Sequence, residues 1–234
     1  MQSTVKDKIS TSTWETTLDE EKPGWIWRDP DQSLNGKVAA KRFGLQQKNK
    51  IRVIDDCSVC GLNAACGVKE RFKIHAIDEM CAYIGWVFSR FKGGQKPSII
   101  GKTFDPKSAY RQFCISEEDR RLVRIMVYDV ENESPVTFGL NVSPFGAVGS
   151  VAGFLRVSLA LHYIGVVGLQ LAWTAFYDDY TIITSPALRN SSELAAASLF
   201  DLLGIVFAKD GDKCVAFGEK FKSQGLLLDL ANSS

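Results

Sequence analysis

The chain is poor in cysteine for its length, has no apolar run among its first dozen residues and carries almost no net charge. Six cysteines in 234 residues are too sparse for a disulfide-stapled scaffold and suit reduced thiols. Met1 to Ser12 is polar and mixes Lys with Asp, which argues against a secretory signal and makes an intracellular, non-secreted protein the expectation. No internal repeat is found, which argues against a solenoid. The net charge of +1 conceals a segregation: residues 1–36 sum to −3, residues 37–124 to +9 and residues 125–234 to −5. A basic middle beside an acidic end suits a chain that holds a polyanion with one part and cations with another.

Between Val157 and Tyr177 no Asp, Glu, Lys or Arg occurs over twenty-one residues, a length sufficient to cross a bilayer. Ser158, His162, Gly165, Gly168, Gln170 and Thr174 interrupt that run and its pattern changes midway. A buried helix followed by a buried strand is therefore expected, with no membrane partner.

Along the chain, residues 1–40 read as an extended N-terminal arm packing through its tryptophans. Lys50-Ile51-Arg52-Val53-Ile54-Asp55 alternates, so Lys50 and Arg52 share one strand face, where two cations can clamp a phosphate. Apolar residues from Glu70 to Phe91 recur at helical spacing up to Gly93-Gly94. Ile99 to Asp105 reads as a buried strand ending in a carboxylate, and 122–130 with 136–140 as a hairpin. Ser143-Pro144-Phe145-Gly146 leads into a helix for which Ser150 is the expected N-cap. Residues 193–203 predict a further helix stopped at Gly204, and a last strand region runs from Lys213 through Gly225 to Leu230. Helices alternating with antiparallel hairpins predict an α+β fold, a sheet backed by helices.

The strongest chemical signal is Tyr177-Asp178-Asp179-Tyr180, where two adjacent carboxylates interrupt β-branched and aromatic residues. The pattern predicts a hairpin with both acids at its tip. Neighbouring carboxylates repel, and a hard divalent cation such as Mg²⁺ relieves that repulsion. The plain alternative is a solvated turn. If the strand ending in Asp105 neighbours this hairpin, three carboxylates converge, a set able to hold two Mg²⁺ ions for an in-line displacement. Cys57, Cys60, Cys66 and His75 lack the spacing of a zinc motif, and the cysteines read as core or reduced surface thiols.

The order of these motifs resembles the reverse transcriptase family, the RNA-directed DNA polymerases of retroelements. Asp105-Pro106-Lys107-Ser108-Ala109-Tyr110 looks like its first palm motif, and Ser143-Pro144-Phe145-Gly146 through Arg156 is similar to its second. Phe176-Tyr177-Asp178-Asp179 occupies the place of its Tyr-x-Asp-Asp motif. Leu202-Leu203-Gly204, Lys213-Cys214 and Gly225-Leu226 resemble the downstream helix, lysine and hairpin, and Lys50 to Asp56 with Asn63 the fingers strand. The likeness is colinear over about residues 41–230. Phe176 stands where the family usually has tyrosine, and Val151 where a proline is common.

The resemblance implies a right-hand polymerase, with an arm at 1–40, basic fingers at 41–104 and a palm at 105–234 that includes fingers elements at 122–142. After Leu230 it leaves no residues for a thumb or an RNase H, as in a fragment of a polyprotein with further domains. It implies that Asp105 and Asp178 bind two Mg²⁺ ions, with Mn²⁺ an acceptable substitute, and that Asp179 is the third carboxylate. Tyr110 would exclude a 2′-hydroxyl, Lys50 and Arg52 would hold the triphosphate, and Phe145 and Gly146 would shape the nucleotide floor. Lys213 would protonate pyrophosphate. The implied partners are an RNA template, a DNA primer and deoxynucleoside triphosphates. A catalytically silent nucleic-acid-binding remnant is the alternative.

Overall fold

In the computed structural model, residues 2–47, 50–91, 97–211 and 214–231 are described, with side chains in the first helix from Lys8 onward. The fold is α+β, built as two compact units: residues 1–70 with 110–153, and residues 71–109 with 154–234.

The first unit is a five-stranded sheet in the order β1-β6-β5-β2-β3. β1 is Ile26–Arg28, β2 Val38–Gln47, β3 Lys50–Asp56, β5 Val123–Asp129 and β6 Ser134–Leu140. All pairings are antiparallel except β2 with β5, which run parallel from Val38 opposite Val123. Residues 2–21 are not an extended arm: Gln2–Glu21 forms helix α1. Its Ser/Thr-rich sequence has poor helix propensity, so docking supplies the stability. Trp14 is buried in the sheet's apolar core with Ile26, Ile125, Phe138 and Leu140. The hydroxyls of Thr13, Thr16 and Thr17 donate back to the carbonyls four residues earlier, at 2.7 to 2.8 Å, which spares them an unsatisfied burial.

A buried ion cluster anchors the end of α1. Arg42, fully buried, donates from Nε to Asp55 Oδ1 at 2.7 Å and from Nη1 to Glu20 Oε2 at 2.8 Å. Arg111 donates to the same Glu20 oxygen at 2.9 Å and to Asp55 Oδ2 at 3.4 Å. Two guanidinium groups facing two carboxylates leave no net charge in the interior, the condition under which such burial is tolerated.

The second unit holds the sheet β4-β8-β7 and the ribbon β9-β10. β4 is Ile100–Phe104, β7 Trp173–Phe176, β8 Asp179–Thr184, β9 Lys220–Ser223 and β10 Leu226–Asp229. The ribbon meets β4 through an isolated bridge between Gly101 and Gly218. There a Cβ on Gly101 would stand 2.3 Å from the Phe221 ring, so only glycine admits it. Phe104, Trp173, Tyr180, Phe200 and Phe207 form a linked ring cluster behind the sheet.

Helix α3 spans Ile77–Ser89 rather than starting at Glu70, and the short α2, Leu62–Ala65, precedes it in the chain. The helical apolar spacing is overridden upstream because His75 spends its backbone N–H on the Ala175 carbonyl of β7, at 3.2 Å. Helix α4 is Glu117–Leu122 and α6 is Arg189–Leu202, starting four residues earlier than the sequence suggests and stopping before Gly204, whose φ is 71°.

Helix α5, Val148–Tyr163, continues as a π-helix over Ile164–Gly168 before the chain reaches β7. Among the described residues this run, Val148–Gly168, is the one helix long and apolar enough by length and composition to cross a membrane, and it is partly buried. The uncharged stretch is thus a helix followed by a strand, as its pattern predicts. Ser150 is not its N-cap. Asn63 does that work from a distance, its Oδ1 accepting the Val148 N–H at 2.8 Å.

Candidate functional site

The residues singled out in the sequence fall into two groups, one in each unit. In the second, β4 pairs antiparallel with β8 so that Phe104 lies opposite Tyr180, and β8 pairs with β7 so that Phe176 lies opposite Asp179. Asp105 and Asp179, each one residue past a Phe104–Tyr180 partner, therefore emerge at the same end of the sheet, with Asp178 in the adjoining turn. The adjacency on which the three-carboxylate reading depended is present.

The hairpin differs in one detail from expectation. Its two-residue loop is Tyr177-Asp178, and Asp179 is the first residue of β8 rather than part of the tip. Tyr177 adopts φ 53°, a left-handed conformation unusual for an aromatic side chain. A hydroxyl relay holds it there. The Tyr180 hydroxyl donates to Ser158 Oγ at 2.9 Å, and Ser158 donates to the Tyr177 carbonyl at 2.8 Å. Ser158 lies buried on α5, so the helix fixes the turn that carries Asp178.

Asp178 is exposed and Asp179 half-buried. Asp179 Oδ2 accepts the Gln224 backbone N–H at 2.7 Å, and Oδ1 accepts the Thr181 hydroxyl at 3.3 Å. Burial nonetheless pushes the Asp179 carboxyl above the ordinary carboxylate range, and the charges of Asp178 and Asp105 push it further. Asp105 is fixed by its backbone: its carbonyl accepts the Ala208 N–H at 3.0 Å, and Pro106 bridges to Phe207. Hard carboxylate oxygens that repel one another suit a Mg²⁺ ion by donor chemistry. As their side chains stand they are not a closed ligand set, since among the described residues no three His, Cys, Asp or Glu side chains group tightly enough to hold a metal ion.

The group in the first unit centres on the Pro-Phe-Gly turn. Tyr110, opening the 3₁₀ turn Ala109–Gln112, meets Phe145 edge to face with ring centroids 5.8 Å apart. The Phe145 carbonyl accepts the Asp55 N–H at 3.1 Å, and the Gly146 carbonyl accepts Asn63 Nδ2 at 3.1 Å. Gly146 has φ 116°, and a Cβ there would lie 2.4 Å from the Asp55 carbonyl oxygen, so glycine is required on both counts. Arg111 Nη1 reaches the Ser143 carbonyl at 3.4 Å, tying the turn to the buried ion cluster. Lys50 and Arg52 are exposed at alternate positions of β3, on the shared face that the alternation predicts. Lys213 lies outside the described residues.

Sequence reading missed Ser158, Asn63 and Arg111, which position the two turns. What it missed is their role: a serine in an apolar run was the only signal for the first, Asn63 stood out only within the fingers likeness, and nothing local marked Arg111. Cys57 is buried and its thiol is pushed up to about 12 by that burial, so the free group is a neutral thiol at neutral pH. No model of a known protein family matches the chain, and no curated protein sequence matches it either.

Proposed function

We propose that the chain is the fingers and palm part of an RNA-directed DNA polymerase, adding deoxynucleotides to a DNA primer on an RNA template. The observation that carries the reading is the convergence of Asp105, Asp178 and Asp179 at one end of the β4-β8-β7 sheet. Asp105 and Asp178 would hold two Mg²⁺ ions, with Asp179 the third carboxylate. Bound there, the metals would activate the primer hydroxyl and neutralise the charge that develops on the phosphates.

The chain's own residues would supply the positioning. The Tyr180–Ser158–Tyr177 relay fixes the backbone turn that carries Asp178, which limits the reorganisation needed when charge develops. Tyr110, buttressed by Phe145, would lie beneath the incoming sugar and leave no room for a 2′-hydroxyl. Gly146 lets the turn approach β3 closely, and Lys50 and Arg52 would meet the triphosphate. Lys213 is proposed, from the resemblance alone, to protonate the leaving pyrophosphate.

The test is primer extension with Mg²⁺ and deoxynucleotides by the purified chain beside its Asp178→Asn, Asp179→Asn double variant. Extension that the double variant loses by roughly a thousandfold or more establishes the reading. Template binding without extension by either protein assigns the chain instead to a binding role. The second reading has support of its own, because Asp179 is already engaged by Gln224 and Thr181.

A further inference from the structure

Helix α3 carries an exposed aromatic row that the polymerase reading does not use. Tyr83 and Trp86 stack with ring centroids 6.0 Å apart and planes 25° from parallel, and the Arg90 guanidinium lies over the Trp86 ring at 4.9 Å. Positions 83, 86 and 90 share one helix face. Trp86 is 53% exposed and Phe91, just past the helix, 54%, whereas Met80 and Ile84 of the same helix are buried. Large aromatic faces left in water mark a surface built to be covered.

Tyr83 also forms a common wall between two clefts of this unit. One, of about 400 Å³, is lined by His75, Glu79, Met80, His162, Trp173 and Thr174, so it carries one carboxylate. The other, of about 440 Å³, is lined by Phe91, Ser98, Ile99, Ser185, Leu188 and Ser192. Gln170 and Ala172 line both clefts, which makes them neighbours. Each lies within the range of about 300–1,000 Å³ in which flat organic groups bind.

Their polar groups suit the edges of heterocyclic bases. His75 Nδ1 and His162 Nε2 approach the Ala175 and Trp173 carbonyls at 3.2 and 3.1 Å, so both must carry the proton there. In the neutral rings the opposite nitrogens are acceptors. The serines of the second cleft supply hydroxyls that donate or accept. Arg90 and Arg189, both exposed, adjoin the lining residues Phe91 and Leu188 in the chain, so cations flank the second cleft. Aromatic faces for stacking, mixed donors and acceptors, and flanking arginines together describe a site for unpaired nucleotides, whereas an apolar peptide would have no use for the cations.

We propose that this groove binds a single-stranded segment of nucleic acid, one base in each cleft with the Tyr83 ring between them. Trp86 extends the stack outward, and Arg90 meets a phosphate. The site goes beyond the polymerase reading: it uses none of Asp105, Asp178 or Asp179 and stands whether or not the chain extends a primer.

The test is fluorescence anisotropy of a labelled oligouridylate with the full chain, against a blunt RNA duplex as competitor. The single strand is expected to bind more tightly than the duplex. Tyr83→Ala and Trp86→Ala should each weaken binding roughly five- to hundredfold, and Tyr83→Phe should bind as the parent does. Circular dichroism and thermal melting verify that the variants are folded. Alanine variants that are folded and bind as tightly as the parent overturn the proposal, as does equal affinity for the duplex. If the alanine variants abolish self-association in sedimentation while RNA binding is unmoved, the face is a protein interface and the proposal fails. The Asp178→Asn, Asp179→Asn variant separates this site from the catalytic reading, since it should bind the oligonucleotide as the parent does even where extension is lost.

Discussion

At the scale of single residues, the hairpin bearing Asp178 and Asp179 is held against its own preferences. Tyr177 sits at φ 53°, a conformation costing on the order of 1 kcal/mol or more for a side chain of this kind. Two hydrogen bonds through Ser158 offset that cost. Ser158→Ala leaves the Tyr177 carbonyl and the Tyr180 hydroxyl without this partner and should destabilise the chain by about 1–3 kcal/mol in urea titration. Tyr180→Phe combined with it should cost less than the two changes summed, because both break one relay. Asp179 gives a pH signature. Its folded-state pKa is raised above the ordinary 3.8, so the native state binds more protons between the two values, and stability falls as pH rises through the raised one. Without divalent cations, Asp179→Asn should therefore raise Tm at pH 7 by up to about 2 °C and make little difference in acid. Mg²⁺ should raise the Tm of the parent and leave the Asp178→Asn, Asp179→Asn variant unmoved.

Among elements, the turns are fixed from outside themselves. The Pro-Phe-Gly turn borrows Asn63, Asp55 and Arg111, and helix α1 is fastened by Glu20 to the same cluster. Glu20→Ala would leave buried Arg42 and Arg111 facing Asp55 alone, and should cost about 3 kcal/mol in chemical unfolding. Gly146→Ala combines a φ of 116° with a Cβ 2.4 Å from a carbonyl oxygen. It should destabilise by about 2 kcal/mol or more, and a wild-type urea midpoint would refute the constraint. These cases also mark where sequence reading succeeds and fails. The hairpin at 123–140, the strand before Asp105 and the helix before Gly204 were legible because their periodicity and their stop signals agree. Helix α1 was not legible, because its Ser/Thr-rich surface reads as coil and only the docking of Trp14 and Glu20 makes it helical. Residues 71–76 carry helical spacing yet form no helix, because His75 gives its backbone N–H to Ala175 of β7.

For the whole molecule, the charge blocks of −3, +9 and −5 frame what can be bound. If the basic middle meets phosphate, affinity for single-stranded RNA must fall with salt, by a slope of about −0.7 for each phosphate neutralised. Arg90→Gln should flatten that slope by about one such increment, and a slope indifferent to salt would assign the +9 to solubility alone. Each unit builds its own apolar core, one around Trp14 and Phe138 and the other around Met80, Ile183 and Phe221. The cut between them at 70/71, 109/110 and 153/154 has no composition boundary to announce it, since the chain crosses from unit to unit inside basic or apolar stretches.

What the sequence determined by itself was chemical type and local period: an α+β chain, paired carboxylates flanked by strands, a glycine turn before a helix, two cations on one strand face. These follow from side-chain identity and spacing, which need no partner to be read. The tertiary structure alone decided which distant residues meet. It put Asp105 beside the Asp178-Asp179 hairpin through the β4–β8 register, set Ser158 behind Tyr177, and gathered Glu20, Arg42, Asp55 and Arg111 in one interior. Such meetings depend on long-range pairing and on burial, where a charge or hydroxyl is admitted only if a partner arrives from elsewhere in the chain.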